Sequence, residues 1–264
     1  MIHRLGLLLA ATLSLSGCVS MPDSTDPAHG HFVRRELEFE GRDYRYEVFV
    51  PAASAAQPAP IVLFLHGSGE RGDDGHDQTT SGLGPYLRRH ADSFPALVVF
   101  PQVPDDEAWS HRNARMALAT LDAASQEFGA DPKRTYLTGI SMGGYGTWEI
   151  ALQHPQRFAA LVPVSGALTS PDDDDEPIFV SGVTEEADPY SALAKRLRHV
   201  PTWVFHGAQD DVVKPQDDRQ IYLAARKIGA RIRYTEYPRG NHNVWDVTYA
   251  NPAVWTWMFG QQLR

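Results

Sequence analysis

The feature that most narrows what this chain can fold into is an alternation of two kinds of segment. "IVLFLHG" (61–67), "ALVVFPQ" (96–102), "RTYLTGIS" (134–141), "FAALVPVSG" (158–166) and "PTWVFHG" (201–207) are short, nearly continuous apolar runs. Such runs suit strands buried on both faces of a parallel sheet. "YRYEVFVP" (44–51) and "RIRYTEYP" (231–238) add two more strands of less apolar character. Between the runs lie helical patterns. Residues 113–128 repeat apolar side chains at three-to-four spacing, "GGYGTWEIALQHP" stops near Pro155, and "DDRQIYLAARKIG" leads into the last strand. Strands alternating with helices imply βαβ units with right-handed crossovers. The expectation is therefore an α/β protein with a mostly parallel central sheet flanked by helices, and 264 residues suffice for one such domain.

The two ends of the acidity scale in this chain have different readings. A net charge of −9 leaves no basic stripe for phosphates, which argues against nucleic acid as a partner. The acids concentrate in an insertion at 169–190, between two strands, where "PDDDDEP" interrupts the rhythm. Four consecutive aspartates lack the alternating ligands and central glycine of a calcium loop, so a solvated loop or cap is expected there and no metal.

The first residues are a different material. "MIHRLGLLLAATLSLSGCVS" has a basic start, an apolar run from Leu5 to Leu15 too short to span a bilayer, and then small residues. Its end, Leu15-Ser16-Gly17-Cys18, resembles a bacterial lipobox. The resemblance implies a signal peptide over 1–17, lipidation at Cys18, and a polar tether over 18–31 leading into a domain at 32–264. Cys18 is the only cysteine of the chain, so it has no intramolecular disulfide partner. More than one acyl chain would anchor the protein without a spanning helix. The expected location is the bacterial cell envelope, with the outer membrane preferred because Val19 stands where an inner-membrane signal carries Asp.

Active groups of a parallel sheet gather at the carboxyl ends of its strands. Ser141 follows "TYLTGI", Gly67-Ser68-Gly69 follows "IVLFLH", Asp210 follows "PTWVFHGAQ", and His242 follows "RYTEYP". A lone Gly-x-Ser-x-Gly arises by chance in roughly one chain in ten of this length. Here the serine has a strand before it, a helix after it, and an acid and a base downstream in the order Ser, Asp, His, which is the α/β-hydrolase arrangement. A serine hydroxyl attacks only when a base takes its proton, and a carboxylate then steadies the imidazolium. Gly139 and Gly143 would permit the strained turn, and Gly144 close packing of the helix. The oxyanion would take the backbone N–H of Met142 and, from the loop after "FLHG", that of Ser68. Asp211 competes with Asp210 for the acid role; the spacing from the "HG" turn prefers Asp210. His66 and His206 are expected to orient loops. Trp109 and Trp245 either wall the substrate site or pack as large apolar rings.

The stretches "LFLHGSGERGDD", "VFPQVPDDEAWS", "YLTGISMGGYGTWEIALQHPQRFAALVPVSG", "WVFHGAQDDVVKP" and "YTEYPRGNHNVWDVTYANPAVWTWM" resemble the esterase and predicted-peptidase branch of the α/β-hydrolase superfamily. That branch lies near dienelactone hydrolases, phospholipase/carboxylesterases and polyhydroxybutyrate depolymerases. The resemblance implies a catalytic Ser141, Asp210 and His242, no cofactor, and hydrolysis of a small-molecule carboxylic ester through an acyl-enzyme. Dienelactone hydrolases proper use a cysteine nucleophile, which this domain lacks. Two rivals stand beside this expectation: a serine peptidase with the same three residues, and a non-catalytic envelope binding protein on the same fold.

Overall fold

A computed structural model describes residues 28–53, 55–56, 58–170 and 178–264. The expected signal peptide, Cys18 and most of the tether lie outside the described residues, as does the aspartate run of the insertion. Eight strands form one sheet: β1 (His31–Phe39), β2 (Arg42–Val50), β3 (Ile61–Leu65), β4 (Leu97–Pro101), β5 (Thr135–Ile140), β6 (Ala160–Val164), β7 (Thr202–Gly207) and β8 (Ile232–Tyr237). Their spatial order is β1-β2-β4-β3-β5-β6-β7-β8. From β4 to β8 all pairings are parallel, while β1 and β2 join antiparallel at one edge. The α/β-hydrolase fold follows from this architecture, with the helices on both faces.

The central strands read as continuous apolar runs because both faces are covered. Ile61, Leu63 and Leu65 enter one core with Val99, Leu137 and Leu161. Val62 and Phe64 enter the other with Val98, Phe100, Tyr136 and Val162. The period-two pleat sends alternate residues to opposite layers. Against the first layer pack α2 (His111–Phe128), α3 (Met142–Gln153), α4 (Pro189–Arg196) and α5 (Gln216–Lys227); against the second pack α1 (Leu83–Arg89), α6 (Trp245–Tyr249) and α7 (Pro252–Phe259).

β1 is the strand that the apolar pattern leaves out. "HFVRRELEF" carries four charges, and its exposed face is polar because an edge strand covered on one side needs only half its residues buried. Its hairpin to β2 turns on Glu40 (φ 50°) and Gly41 (φ 78°), both left-handed as a two-residue turn between twisted strands requires.

The chain runs from β3 outward to β4, then crosses back over β3 to β5. The loops leaving the carboxyl ends of β3 and β4 on one side and β5 on the other therefore diverge, and a crevice opens where the strand order reverses. Ser141 and Gly67-Ser68 follow the two strands that flank that point.

Candidate active site

Ser141 sits between β5 and α3 at φ 51° and ψ −119°, a conformation that strains any residue with a Cβ. Hydrogen bonds hold it there. Its N–H donates to the Val164 carbonyl at 3.0 Å, and its own carbonyl accepts from the Gly144 N–H at 2.7 Å. The neighbouring glycines are required by space. A Cβ on Gly139 would stand 2.2 Å from the Gly143 carbonyl oxygen, and one on Gly143 would stand 2.0 Å from that of Leu65. Gly144 packs against Gly166 in the same way, at 2.8 Å. The turn closes only where these backbones touch.

His242 comes from the loop after β8, and its Nε2 lies 2.9 Å from Ser141 Oγ. Its Nδ1 lies 2.8 Å from Asp210 Oδ2, on the loop after β7. Nδ1–H donates to the carboxylate, which leaves Nε2 to accept from the serine hydroxyl. Ser165 Oγ–H, at the end of β6, donates to the His242 carbonyl at 2.9 Å. The Trp245 ring stands edge-on to the imidazole, with centroids 5.3 Å apart.

Asp210 Oδ1 accepts the N–H groups of Val212 at 3.0 Å and Val213 at 2.9 Å. Burial works to raise the pKa of this carboxyl, but bonds from His206 and His242 outweigh it and hold the group well below the usual carboxylate range. Asp211 points instead into the cavity and is exposed. The structure brings Ser141, His242 and Asp210 together and leaves Asp211 outside the chain of bonds.

These groups open on a cavity of about 810 Å³. Ser68 begins a 3-10 turn (Ser68–Glu70) on one side of it and Met142 begins α3 on the other. The first N–H groups of a helix have no intrahelical acceptor, so the Met142 N–H is available to a ligand. Glu70 Oε2 accepts the Gly67 N–H at 2.9 Å and fixes the turn that carries Ser68. Burial raises the Glu70 pKa against that bond.

Of the two tryptophans, Trp245 lines the cavity and Trp109 does not. Trp109 is 2% exposed, donates its Nε1–H to the His66 carbonyl at 2.9 Å, and packs its ring on the His66 imidazole. A wall of the substrate site is thus the wrong role for Trp109. Large apolar packing is what its position beneath the loop after β3 demands.

His66 Nδ1 faces the Gly67 carbonyl at 2.6 Å, and Nε2 accepts the Val103 N–H at 3.0 Å. Burial pushes its pKa down to about 4. His206 Nδ1 lies 2.7 Å from Asp218 Oδ2, and Nε2 lies 2.8 Å from the Val213 carbonyl. Burial would lower its pKa, but Asp210 and Asp218 push it up to about 10.

Asp218, outside the motif stretches, and Ser165, inside the longest of them, carry no signal of a role in the sequence pattern. Nor do Asp217 and Glu149, two buried acids that clasp the stems of the insertion. Asp217 accepts the Leu168 and Thr169 N–H groups and the Tyr190 hydroxyl; Glu149 accepts the Ser181 N–H and hydroxyl. Among the described residues no group of three or more His, Cys, Asp or Glu is arranged to hold a metal ion.

A serine on a strained turn, bonded to a histidine that is bonded to a buried carboxylate, can perform nucleophilic acyl transfer. The chain is 28% identical over 180 residues to the bifunctional acetylxylan esterase/xylanase XynS20E of Neocallimastix patriciarum, covering 67% of this chain and 22% of that protein. It is 29% identical over 217 residues to the poly(3-hydroxyoctanoate) depolymerase of Pseudomonas fluorescens, covering 74% and 72% respectively. The chain spans 22 to 56% of the length of the first curated relatives it matches. Among solved structures, a thermostable esterase superposes with a TM-score of 0.69 at 27% identity, over 88% of this chain and 63% of that one. The model of the prolyl oligopeptidase family matches residues 106–257, more than half of the 264, and that span contains Ser141, Asp210 and His242. The chain belongs to the prolyl oligopeptidase family.

Proposed function

We propose that this protein is a serine esterase that hydrolyses small-molecule carboxylic esters through an acyl-enzyme. The observation that carries the reading is the unbroken chain Ser141 Oγ to His242 Nε2 at 2.9 Å and His242 Nδ1 to Asp210 Oδ2 at 2.8 Å, at the floor of an open cavity. Ser141 Oγ attacks the ester carbonyl while His242 Nε2 takes its proton, and Asp210 balances the imidazolium. The oxyanion accepts from the N–H groups of Met142 and Ser68. His242 returns the proton to the leaving alcohol, and a water activated by the same imidazole cleaves the acyl-enzyme to the free acid. Trp245 borders the acyl or alcohol side.

The relatives whose names are esterases and a polyester depolymerase support an ester as the substrate. The test is a panel of p-nitrophenyl esters of increasing acyl length, with a fluorophosphonate label on Ser141. Turnover and labelling in the wild type, both absent in Ser141→Ala, are expected. Folded wild type that neither labels nor turns over any ester refutes the reading and leaves the binding-protein alternative. The family description favours a second reading, a serine peptidase. Matched ester and amide versions of one substrate separate the two: the ester reading requires the amide to be far slower.

The same proposal includes residues 1–17 as a signal, a lipid on Cys18, a tether to the domain at 32–264, and the insertion at 169–190 as a cap. An envelope protein anchored in this way would meet its esters outside the cytoplasm. Mass spectrometry of the native protein should find a diacylglyceryl-modified Cys18 at the N-terminus, and an unmodified start elsewhere would overturn it.

A further inference from the structure

His206 stands one residue before the end of β7 with its ring wholly buried, and both of its nitrogens face acceptors. Nδ1 meets Asp218 Oδ2 of α5, and Nε2 meets the Val213 carbonyl at 2.8 Å and Asp210 Oδ2 at 3.2 Å. A carbonyl only accepts, so Nε2 carries a hydrogen and Nδ1 shares a proton with Asp218. The Nε2 hydrogen lies in the fork between Val213 and Asp210.

That contact completes the shell of Asp210. A carboxylate has about four lone-pair sites. Two on Asp210 are met by the Val212 and Val213 N–H groups, one by His242 Nδ1–H, and the last faces His206. Two of these partners are backbone and one is the base itself. The ionisable groups around His206 are Asp210 on its own loop, Asp217, Asp218 and Arg219 of α5, and Tyr234 and Glu236 of β8. Arg219 is bonded to Glu236, so its charge is already matched. Burial pushes the Asp218 carboxyl up and His206 works against that shift, so a neutral His206 would leave Asp210, also buried, without a counter-charge behind it.

We propose that His206, held by Asp218, is a positioning residue of the acid arm: it fixes the rotamer of Asp210 and supplies the positive charge behind it. The proposal rests on the esterase reading above. The charge on His206 also tempers the pull of Asp210 on the Nδ1 hydrogen of His242. Nothing in the family arrangement of three residues requires this fourth.

His206→Gln removes the charge while keeping a donor for Val213. It should lower kcat about tenfold to a hundredfold, part of the 10²–10⁴ that general base catalysis contributes. KM should stay within about twofold, since no substrate contact is lost. The acidic limb of the kcat/KM profile should move to higher pH. Asp218→Asn should move both readouts in the same direction by less. Rates are normalised to fluorophosphonate-labelled sites, so a variant that merely folds poorly shows an unchanged kcat and an unmoved limb, and that outcome overturns the proposal. If neither variant folds, ¹⁵N NMR of the wild-type imidazoles at pH 8 decides. Two protonated nitrogens on His206 support the charge, and one overturns it. A wild type without labelling or turnover fails the esterase reading itself; an active wild type with unmoved variants fails only this proposal.

Discussion

Two identical dipeptides, His66-Gly67 and His206-Gly207, stand at the carboxyl ends of β3 and β7. Both imidazoles are fully buried, yet one is driven down to about 4 and the other up to about 10. Burial acts on both in the same direction, against the charge. The difference lies in the partners. His66 meets one carbonyl and one N–H, the complement of a neutral ring, while His206 meets a carbonyl and two carboxylates, the complement of an imidazolium. The glycines differ as well. A Cβ on Gly207 would meet the Asn241 carbonyl oxygen at 2.1 Å, whereas the nearest atoms to one on Gly67 would be the Glu70 carboxylate at 3.1 Å, Ser141 Cβ at 3.6 Å and the Ile140 carbonyl oxygen at 3.8 Å. The β3 end holds a neutral histidine in a looser loop beside Ser141. The β7 end is a charged, tightly packed anchor for the acid.

Removing the acid should have the largest effect on that contrast. Asp210→Asn is expected to lower kcat about 10⁴-fold, the cost of presenting the wrong tautomer of the base, with the fold kept. Asp211→Asn should stay within a few-fold. Equal losses in both would mean that the β7 loop holds the base in another way.

The glycine contrast comes next. Gly207→Ala should cost about 3 kcal/mol in urea unfolding, because backbone rather than a flexible side chain must shift. Gly67→Ala should cost under about 1 kcal/mol in stability but reduce turnover, as the methyl approaches Ser141. Equal destabilisation would remove the packing side of the comparison.

The two histidines should leave opposite marks on the pH dependence of stability. His206 binds its proton more tightly folded than unfolded, so its contribution is full below about 6.5 and is lost as pH rises through about 10. His66 is held neutral, so its contribution is present above about 6.5 and is lost as pH falls towards about 4. Unfolding free energies at pH 4.5, 7 and 9.5 test this. His66→Gln should flatten the acid side and His206→Gln the alkaline side, and the reverse pattern would contradict the assignment of charge.

The smallest change concerns the support beneath His66. Trp109→Phe deletes the Nε1–H bond to the His66 carbonyl and should cost about 1 kcal/mol in stability. KM for esters should not change, because the ring lies outside the cavity, whereas Trp245→Ala should raise KM. A KM effect from Trp109→Phe would restore it to the substrate wall.

The parallel strands were legible to within about two residues, as for 61–67 against Ile61–Leu65 and 134–141 against Thr135–Ile140. Double-sided burial leaves a continuous apolar signal that no surface segment imitates. β1 was not legible, because an edge strand buries one face and reads as a charged segment. The short helices α1, α4, α6 and α7 were missed for a related reason: at five to eight residues their stability comes from packing on the sheet. At the site, Ser141, Asp210 and His242 could be read in order because strand alternation tells where each loop emerges. Trp109 could not, since its burial depends on His66, 43 residues earlier.

The residues of this chain determine by themselves that a parallel sheet forms, that a serine sits on a glycine-flanked turn, and that an acid and a histidine follow on later strand ends. Those properties are local, set by side-chain period and backbone sterics. Which tryptophan faces the cavity and which of the two buried histidines before a glycine is surrounded for a positive charge were decided only by the tertiary structure. Each depends on partners brought from distant segments, and the charge of a buried group is set by the donors and acceptors that surround it.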